Sequence, residues 1–159
     1  MKRNRNSSKG RQQTIQVWTY EQARRVLPYV ASIMRSLREQ WLEGQRHHLA
    51  ARRLAKRPGR PGRDRLLAHA EALASAHQAD ERFQEALEEL HTLDIYCLDP
   101  VCGLALIPFA QNNKLAWFVY DLFDRDPLRF WRYHRDSLET RRPIAEALEE
   151  PPESNSIII

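Results

Sequence analysis

Two Pro-Gly pairs within five residues, Pro58-Gly59 and Pro61-Gly62, constrain this chain more than any other feature. A helix cannot run through them, because proline removes a backbone donor and crowds the preceding turn while glycine favours reversal. On both sides of the bend the apolar residues keep helical spacing. Before it, Val30, Ile33, Met34, Leu37, Trp41 and Leu42 share one face, with Arg35, Arg38, Glu39 and Arg46 elsewhere. After it, Leu66, Ala70, Leu73, His77, Phe83, Leu87 and Leu90 mark an inner face, with a change of register near Asp80. The expectation is an antiparallel, coiled-coil-like helical hairpin with arms over residues 28–56 and 64–93. Residue i of one arm should then face roughly residue 120 − i of the other, which sets His47 near Leu73 and His77 near Glu43.

Thr19-Tyr20-Glu21-Gln22 has the form of a capping box, so a helix should start there. Pro28 predicts either a kink or a short helix followed by a new one.

Charge reinforces the hairpin. Residues 1–65 carry 17 Lys/Arg against four acids, net +13, whereas residues 66–159 carry eight against 17, net −9. A basic first arm beside an acidic second one favours antiparallel pairing and should satisfy part of the positive charge internally. Around the bend Arg52, Arg53, Lys56, Arg57, Arg60, Arg63 and Arg65 form the most concentrated basic patch. It reads either as a solvated tip or as a contact for an acidic protein or nucleic acid, and it holds no aromatic residue to stack on bases. Residues 1–14 should be a disordered basic arm, residues 15–144 one domain, and residues 145–159 a flexible tail.

Beyond Leu93 the period changes. Ile95–Leu98, Leu104–Phe109 and Leu115–Phe123 read as strands, joined by Asp99-Pro100-Val101-Cys102-Gly103 and by Gln111-Asn112-Asn113-Lys114. Pro108 suggests a strand end or an exposed edge. The third strand is apolar on both faces and therefore needs two covers, the hairpin base on one side and the last helix or a second subunit on the other. Asp124-Arg125-Asp126-Pro127 reads as the start of that helix, over Leu128–Arg135. The fold class expected is α+β, mainly α: a long antiparallel helical hairpin, a small three-stranded antiparallel β-meander and a short C-terminal helix.

No apolar run is long enough for a membrane span and no secretory leader is evident, so a cytoplasmic location is expected with no membrane partner. Cys97 and Cys102 lack metal-site spacing and read as reduced thiols. Glu88-x-x-His91 stands without a matching acid opposite it, and Glu43, His47, His77 and Glu81 make only a loose set, so no metal or cofactor is assigned. The sequence contains no Ser-His-Asp or Cys-His arrangement, phosphate loop or closely spaced acid pair, and no catalytic residue is assigned. What remains is a non-catalytic interaction module that self-associates, as a dimer. The alternatives are a nucleic-acid or ribosome-associated protein using the basic tip and N-terminal arm, and an enzyme binding a small ligand or metal at the sheet–helix junction.

The segment Thr19-Tyr20-Glu21-Gln22-Ala23-Arg24-Arg25-Val26-Leu27-Pro28 resembles the opening motif of the bacterial domain of unknown function 2203 family. Asp99 with Gly103-Leu104 and Pro108 is similar to that family's Asp-rich turn and strand, and Arg129-Phe130-Trp131 with Arg141-Arg142-Pro143 to its C-terminal motif. The resemblance covers residues 15–144 and implies no established activity. It implies a ligand-binding or structural polar site at Glu21, Asp99, Trp131 and Arg141. Asp99 is expected to cap its turn, and Glu21 and Arg141 to make ion pairs. Val101 and Leu106 stand where the family pattern has acids, Arg125 where it has Glu and Arg132 where it has His, so any ligand site built on those positions is altered here.

Overall fold

The computed structural model describes residues 14–148 and the backbone of 156–158. The expectations placed on residues 1–13 lie outside the described residues. The order is β1 (Thr14–Gln16), α1 (Tyr20–Lys56), α2 (Arg63–His91), β2 (Tyr96–Asp99), β3 (Leu104–Gln111), β4 (Lys114–Asp121), β5 (Phe130–Tyr133), β6 (Arg142–Pro143), α3 (Ile144–Leu148) and β7 (Ser156–Ile158). Strands β2 to β6 form one antiparallel sheet in sequence order, and β1 pairs with β7 apart from it. The fold is α+β, with the hairpin as its longest feature. No helix among the described residues is long and apolar enough to cross a membrane.

Helix α1 starts where the capping box predicts. The Thr19 hydroxyl accepts from the Gln22 amide at 3.2 Å, and the Gln22 side chain accepts from the Thr19 amide at 3.0 Å. The helix then continues unbroken through Pro28. Pro28 is on its exposed side, where water can serve the carbonyl left without a donor. The 37 residues of α1 span about 55 Å and the 29 of α2 about 43 Å. At the bend the guanidinium of Arg65 closes the end of α1, donating to the carbonyls of Leu54 at 2.8 Å and Arg57 at 2.5 Å.

The sheet has five strands, not the three expected. One of the extra two comes from the stretch read as a C-terminal helix, Phe130–Tyr133, which pairs with β4; the other, Arg142–Pro143, lies beyond that stretch and pairs with β5. Aromatic side chains that encircle a helix lie on alternate faces of a strand, and β4 supplies a two-sided apolar neighbour that rewards the extended form. The acids before it do not cap a helix. Asp121 and Asp124 each accept from the amide two residues on, at 2.9 and 3.0 Å, and so turn the chain into β5.

Register divides the sheet into two apolar faces. Ile107, Phe118 and Trp131 lie in one cross-strand row, and Leu106, Val119 and Phe130 in the next, on the opposite side. The first face packs on Ile33, Met34 and Leu37 of α1 and Leu90 of α2, with Ala147 of α3 at its margin. On the other face Leu106, Trp117 and Val119 meet Ile15 and Val17. The second cover is therefore the N-terminal segment, not the last helix. It is tied down beyond the start of β2, whose pairing with β3 reaches no further than Leu106, since the Trp18 amide donates to the Pro108 carbonyl at 2.8 Å and the Trp18 indole to the Leu93 carbonyl at 3.0 Å. Pro108 sits at that free edge and is fully buried there. The region expected as a flexible tail begins with α3 and includes β7, whose backbone pairs with β1.

The two tight turns follow local chemistry. Asn112 and Asn113 both have positive φ, 51° and 56°, matching a two-residue hairpin turn. Gly103 has φ of +70°, and a Cβ there would lie 2.7 Å from Cβ of Leu122. Replacing Gly103 by alanine should cost about 1–3 kcal/mol from strained backbone and overpacking together. Urea denaturation measures it, and a variant with an unchanged midpoint would refute this account of the turn.

Candidate functional site

The four family-linked positions are not brought together. Glu21 is in the exposed first turn of α1, 3.9 Å from Arg25. Asp99 ends β2, where its Oδ1 accepts from the Cys102 amide at 2.9 Å, and hydrogen bonds from Cys102 hold its carboxyl below the usual range. Trp131 belongs to the helix-facing core, its indole donating to the Pro143 carbonyl at 3.0 Å. Three strand spacings, about 14 Å, separate β2 from β5. Arg141 is exposed and donates to the carbonyls of Leu138 and Thr140 at 2.7 and 3.0 Å, where an ion pair was expected. Asp99 and Arg141 thus serve their own turns.

Near Arg141 the structure builds a polar centre that periodicity could not show. Arg132 lies beside Trp117 on the face away from the helices and is only 4% exposed. Its Nη1 donates to the carbonyls of Tyr133 and Asp136 at 3.2 Å each, while its buried Nε has no hydrogen-bond partner. Burial lowers the guanidinium pKa, nearby Arg141 adds to that, and Asp136 opposes both. The Asp136 carboxylate also takes Arg142 in a two-point pair at 2.9 and 3.1 Å and accepts from the Tyr133 amide at 2.9 Å. Arg142 in turn lies over the rings of Trp131 and Tyr133, 5.5 and 5.2 Å from their centroids. One carboxylate thus fixes the loop between β5 and β6. The signal in the sequence was Asp136 between two arginine pairs, but loop chemistry has no period to read.

Of the positions where the resemblance led us to expect a different residue, Leu106 and Arg132 lie on this same face of the sheet, whereas Val101 and Arg125 are exposed in turns.

A second feature is a groove of about 590 Å³ at the junction of α1 with the end of β4, lined by Arg35, Arg38, Leu42, Arg46, Leu122 and Phe123 among others. Arg38 is held in it by a hydrogen bond to the Val101 carbonyl at 3.0 Å and by the ring of Phe123, 5.4 Å away. Sequence reading placed Arg35 and Arg38 off the apolar face of the first arm and gave them no role. Phe123 is 63% exposed because β4 ends two residues before it.

At the tip, Arg52, Arg53, Lys56, Arg57, Arg60 and Arg63 are exposed, while Arg65 is half-buried and spends its donors on the end of α1. The acid–histidine sets do not converge on a centre. His47 pairs with Glu43 at 2.9 Å, His77 with Glu81 at 3.1 Å and His48 with Asp80 at 2.9 Å. Among the described residues no three His, Cys, Asp or Glu side chains are grouped so as to hold a metal ion. Both cysteines are free thiols; burial, aided by Asp99, pushes Cys97 up to about 11, and the hydrogen bond to Asp99 raises Cys102. Neither is poised as a thiolate at neutral pH.

These placements define an α+β protein whose helical hairpin covers one face of a five-stranded antiparallel sheet, with its polar features dispersed and not gathered into one centre. The chain belongs to the family described as Uncharacterized conserved protein (DUF2203), whose profile matches residues 16–144. No curated protein and no solved structure matches it.

The loop centre has a pH signature. Its largest cause being the hydrogen bonds from Arg142, followed by the Tyr133 amide, the Asp136 carboxyl titrates below its ordinary range in the folded protein. A depressed carboxyl stabilises the fold above the unfolded value of about 3.9, and that contribution is lost as pH falls through the folded value. The urea midpoint of the protein should therefore drop as pH is lowered from about 4. Asp136→Asn should lower the midpoint at neutral pH and flatten the acid limb, whereas a limb of unchanged steepness would show that Asp136 does not carry it.

Proposed function

We propose that this protein is a non-catalytic interaction module that self-associates through the outer part of its helical hairpin. The observation that supports this reading is the way that part is packed. Cover from the sheet stops near the pair Trp41 and Phe83, whose ring centroids are 5.6 Å apart. Beyond it the only fully buried residues of the two arms are Gly44, Ala51, Ala76 and Ala79, among the described residues. Glycine and alanine let the arms approach closely but bury little surface. The large side chains are left outside: Leu42, Leu49, Leu66, Leu67 and Leu73 are 41–56% exposed.

Exposed apolar surface gathered on one arm in this way marks a site for a partner to cover. Covering the exposed part of each leucine contributes on the order of 1 kcal/mol, so several per copy suffice for a reversible dimer after the cost of association. A cytoplasmic homodimer is the form this reading takes. The groove beside Phe123 and the loop around Asp136 are structural in this reading.

Light scattering after size-exclusion chromatography tests it directly. The protein should run as a dimer at high concentration, and the double variant Leu67→Glu/Leu73→Glu as a monomer with an unchanged helical circular dichroism signal. A wild-type protein that stays strictly monomeric at high concentration rejects the proposal.

The six exposed cations of the tip favour a second reading, contact with nucleic acid or with ribosomal RNA. That reading requires affinity for a fluorescent duplex to fall steeply with added salt. Binding that is absent at low salt, or indifferent to salt, rejects it.

A further inference from the structure

We infer that the second copy docks antiparallel, α2 against α2, about a twofold axis near residue 72; this rests on the self-association proposed above and names its geometry. The outward side of α2 carries Leu66, Leu67, Ala70, Leu73 and Ala74, all exposed and all separated by three, four or seven residues or adjacent to one that is. Ala76, Ala79 and Ala86, which are buried, belong to the side turned toward α1. The apolar stripe therefore faces away from its own hairpin partner and toward solvent.

Charge brackets this stripe unevenly. On the tip side stands Arg63, which is exposed and, unlike Arg65, is not committed to capping the carbonyls at the end of α1. On the other side, toward the sheet, stand Glu81 and Glu85, both exposed. Glu81 is steadied by His77 at 3.1 Å on the same helix side. A twofold axis at residue 72 sets Ala70 opposite Ala74 of the second copy, where small side chains allow close approach. It sets Arg63 opposite Glu81 of the second copy, and by symmetry the reverse pair forms as well. A parallel arrangement would set Arg63 opposite Arg63 and Glu81 opposite Glu81, which is repulsive at both ends. The corresponding outer side of α1 offers Leu42 and Leu49 separated by Arg46 and followed by Arg53, so pairing α1 with α1 would oppose like charges. The acids that complement the basic end of α2 lie on α2 itself, at Glu81 and Glu85. That makes a second copy of this chain the partner the surface fits.

The test uses two charge reversals and their mixture, followed by sedimentation equilibrium of the full chain at low salt. Arg63→Glu alone sets glutamate against glutamate in both symmetric pairs, and Glu81→Arg alone sets arginine against arginine. Each should weaken the dimer about tenfold, as two exposed pairs become two repulsions. An equimolar mixture of the two variants should recover wild-type affinity as a heterodimer, because both pairs are then opposite in sign again. The double variant carrying both reversals should recover it as a homodimer. If the wild-type protein dimerises but the reversals leave it unchanged, or the mixture shows no preference for the heterodimer, the antiparallel α2 arrangement is wrong while self-association stands. If the wild-type protein does not dimerise at all, both fall together. Circular dichroism of each variant guards against loss of fold, which these exposed positions should not cause.

Discussion

A sheet apolar on both faces has to be covered twice, and the arrangement of this chain follows from how it meets that requirement. The central strands β3 and β4 are buried along nearly their whole length. Their helix-facing side is built around Phe118, on which Phe109 stacks with ring centroids 4.0 Å apart and against which Tyr20 stands edge-on at 6.0 Å. Trp131 closes the group at 5.7 Å from Phe109. Aromatic surface of this size dominates the burial available to a small domain. The start of α1 and the end of α2 converge there because that is where the chain can remove most apolar area from water. The N-terminal segment does the same for the opposite face with only Ile15 and Val17, and the hydrogen bonds of Trp18 to the carbonyls of Pro108 and Leu93 anchor its exit.

The lengths of the elements then create an overhang. An eight-residue strand spans about 27 Å, whereas α1 is about twice that. Only the first half of α1 and the last third of α2 can touch the sheet. Among the described residues the remaining arm is a two-helix structure with no third layer, and its seam is built from glycine and alanine. Gly44 packs close against Ala79 and Asp80: a Cβ on Gly44 would lie 3.0 Å from Oδ1 of Asp80, and the carboxylate would have to shift to accommodate it. Tight approach there and wide exposure of leucine outside are two results of one sequence choice.

This explains what the sequence made legible and what it hid. The capping box at Thr19, the Pro-Gly bend and the Asn112-Asn113 turn were readable because each is a local device whose residues act on their own backbone. The pairing of the arms was nearly readable: Tyr29 bonds Glu89 and His48 bonds Asp80, bracketing the expected offset. Leu66, Ala70, Leu73 and His77 were assigned to the inner face and lie outside it, because alanines at Ala76 and Ala79 take the seam and apolar spacing alone does not tell which of two stripes faces inward. Phe130–Tyr133 was read as helix because aromatic residues near an apparent cap satisfy a helical pattern. Its strand state depends on β4, a partner that pattern reading cannot weigh. The Asp136 centre was invisible for a related reason, since it joins residues by loop geometry and not by period.

The charge layout shows the same division between what a sequence balances in total and what a structure balances in place. A basic arm beside an acidic one suggests mutual neutralisation along the hairpin. Instead, among the described residues, His48 with Asp80 is the one ion pair that crosses between α1 and α2. Glu43 takes its partners Arg46 and His47 from its own helix, and Glu81 takes His77 from its own. The reason is positional. The cations gather at the tip, in the last turns of α1 and the first of α2, while most acids of α2 lie toward the sheet, over Asp80 to Glu89. Folding the arms together brings cations beside cations at one end and leaves the carboxylates some 20–30 Å away at the other, beyond the reach of screened attraction. Arg65 escapes this by capping carbonyls, a use of charge that needs no acid. The hairpin therefore ends as an extended dipole whose two poles cannot meet within one chain, and any neutralisation of them has to come from outside it.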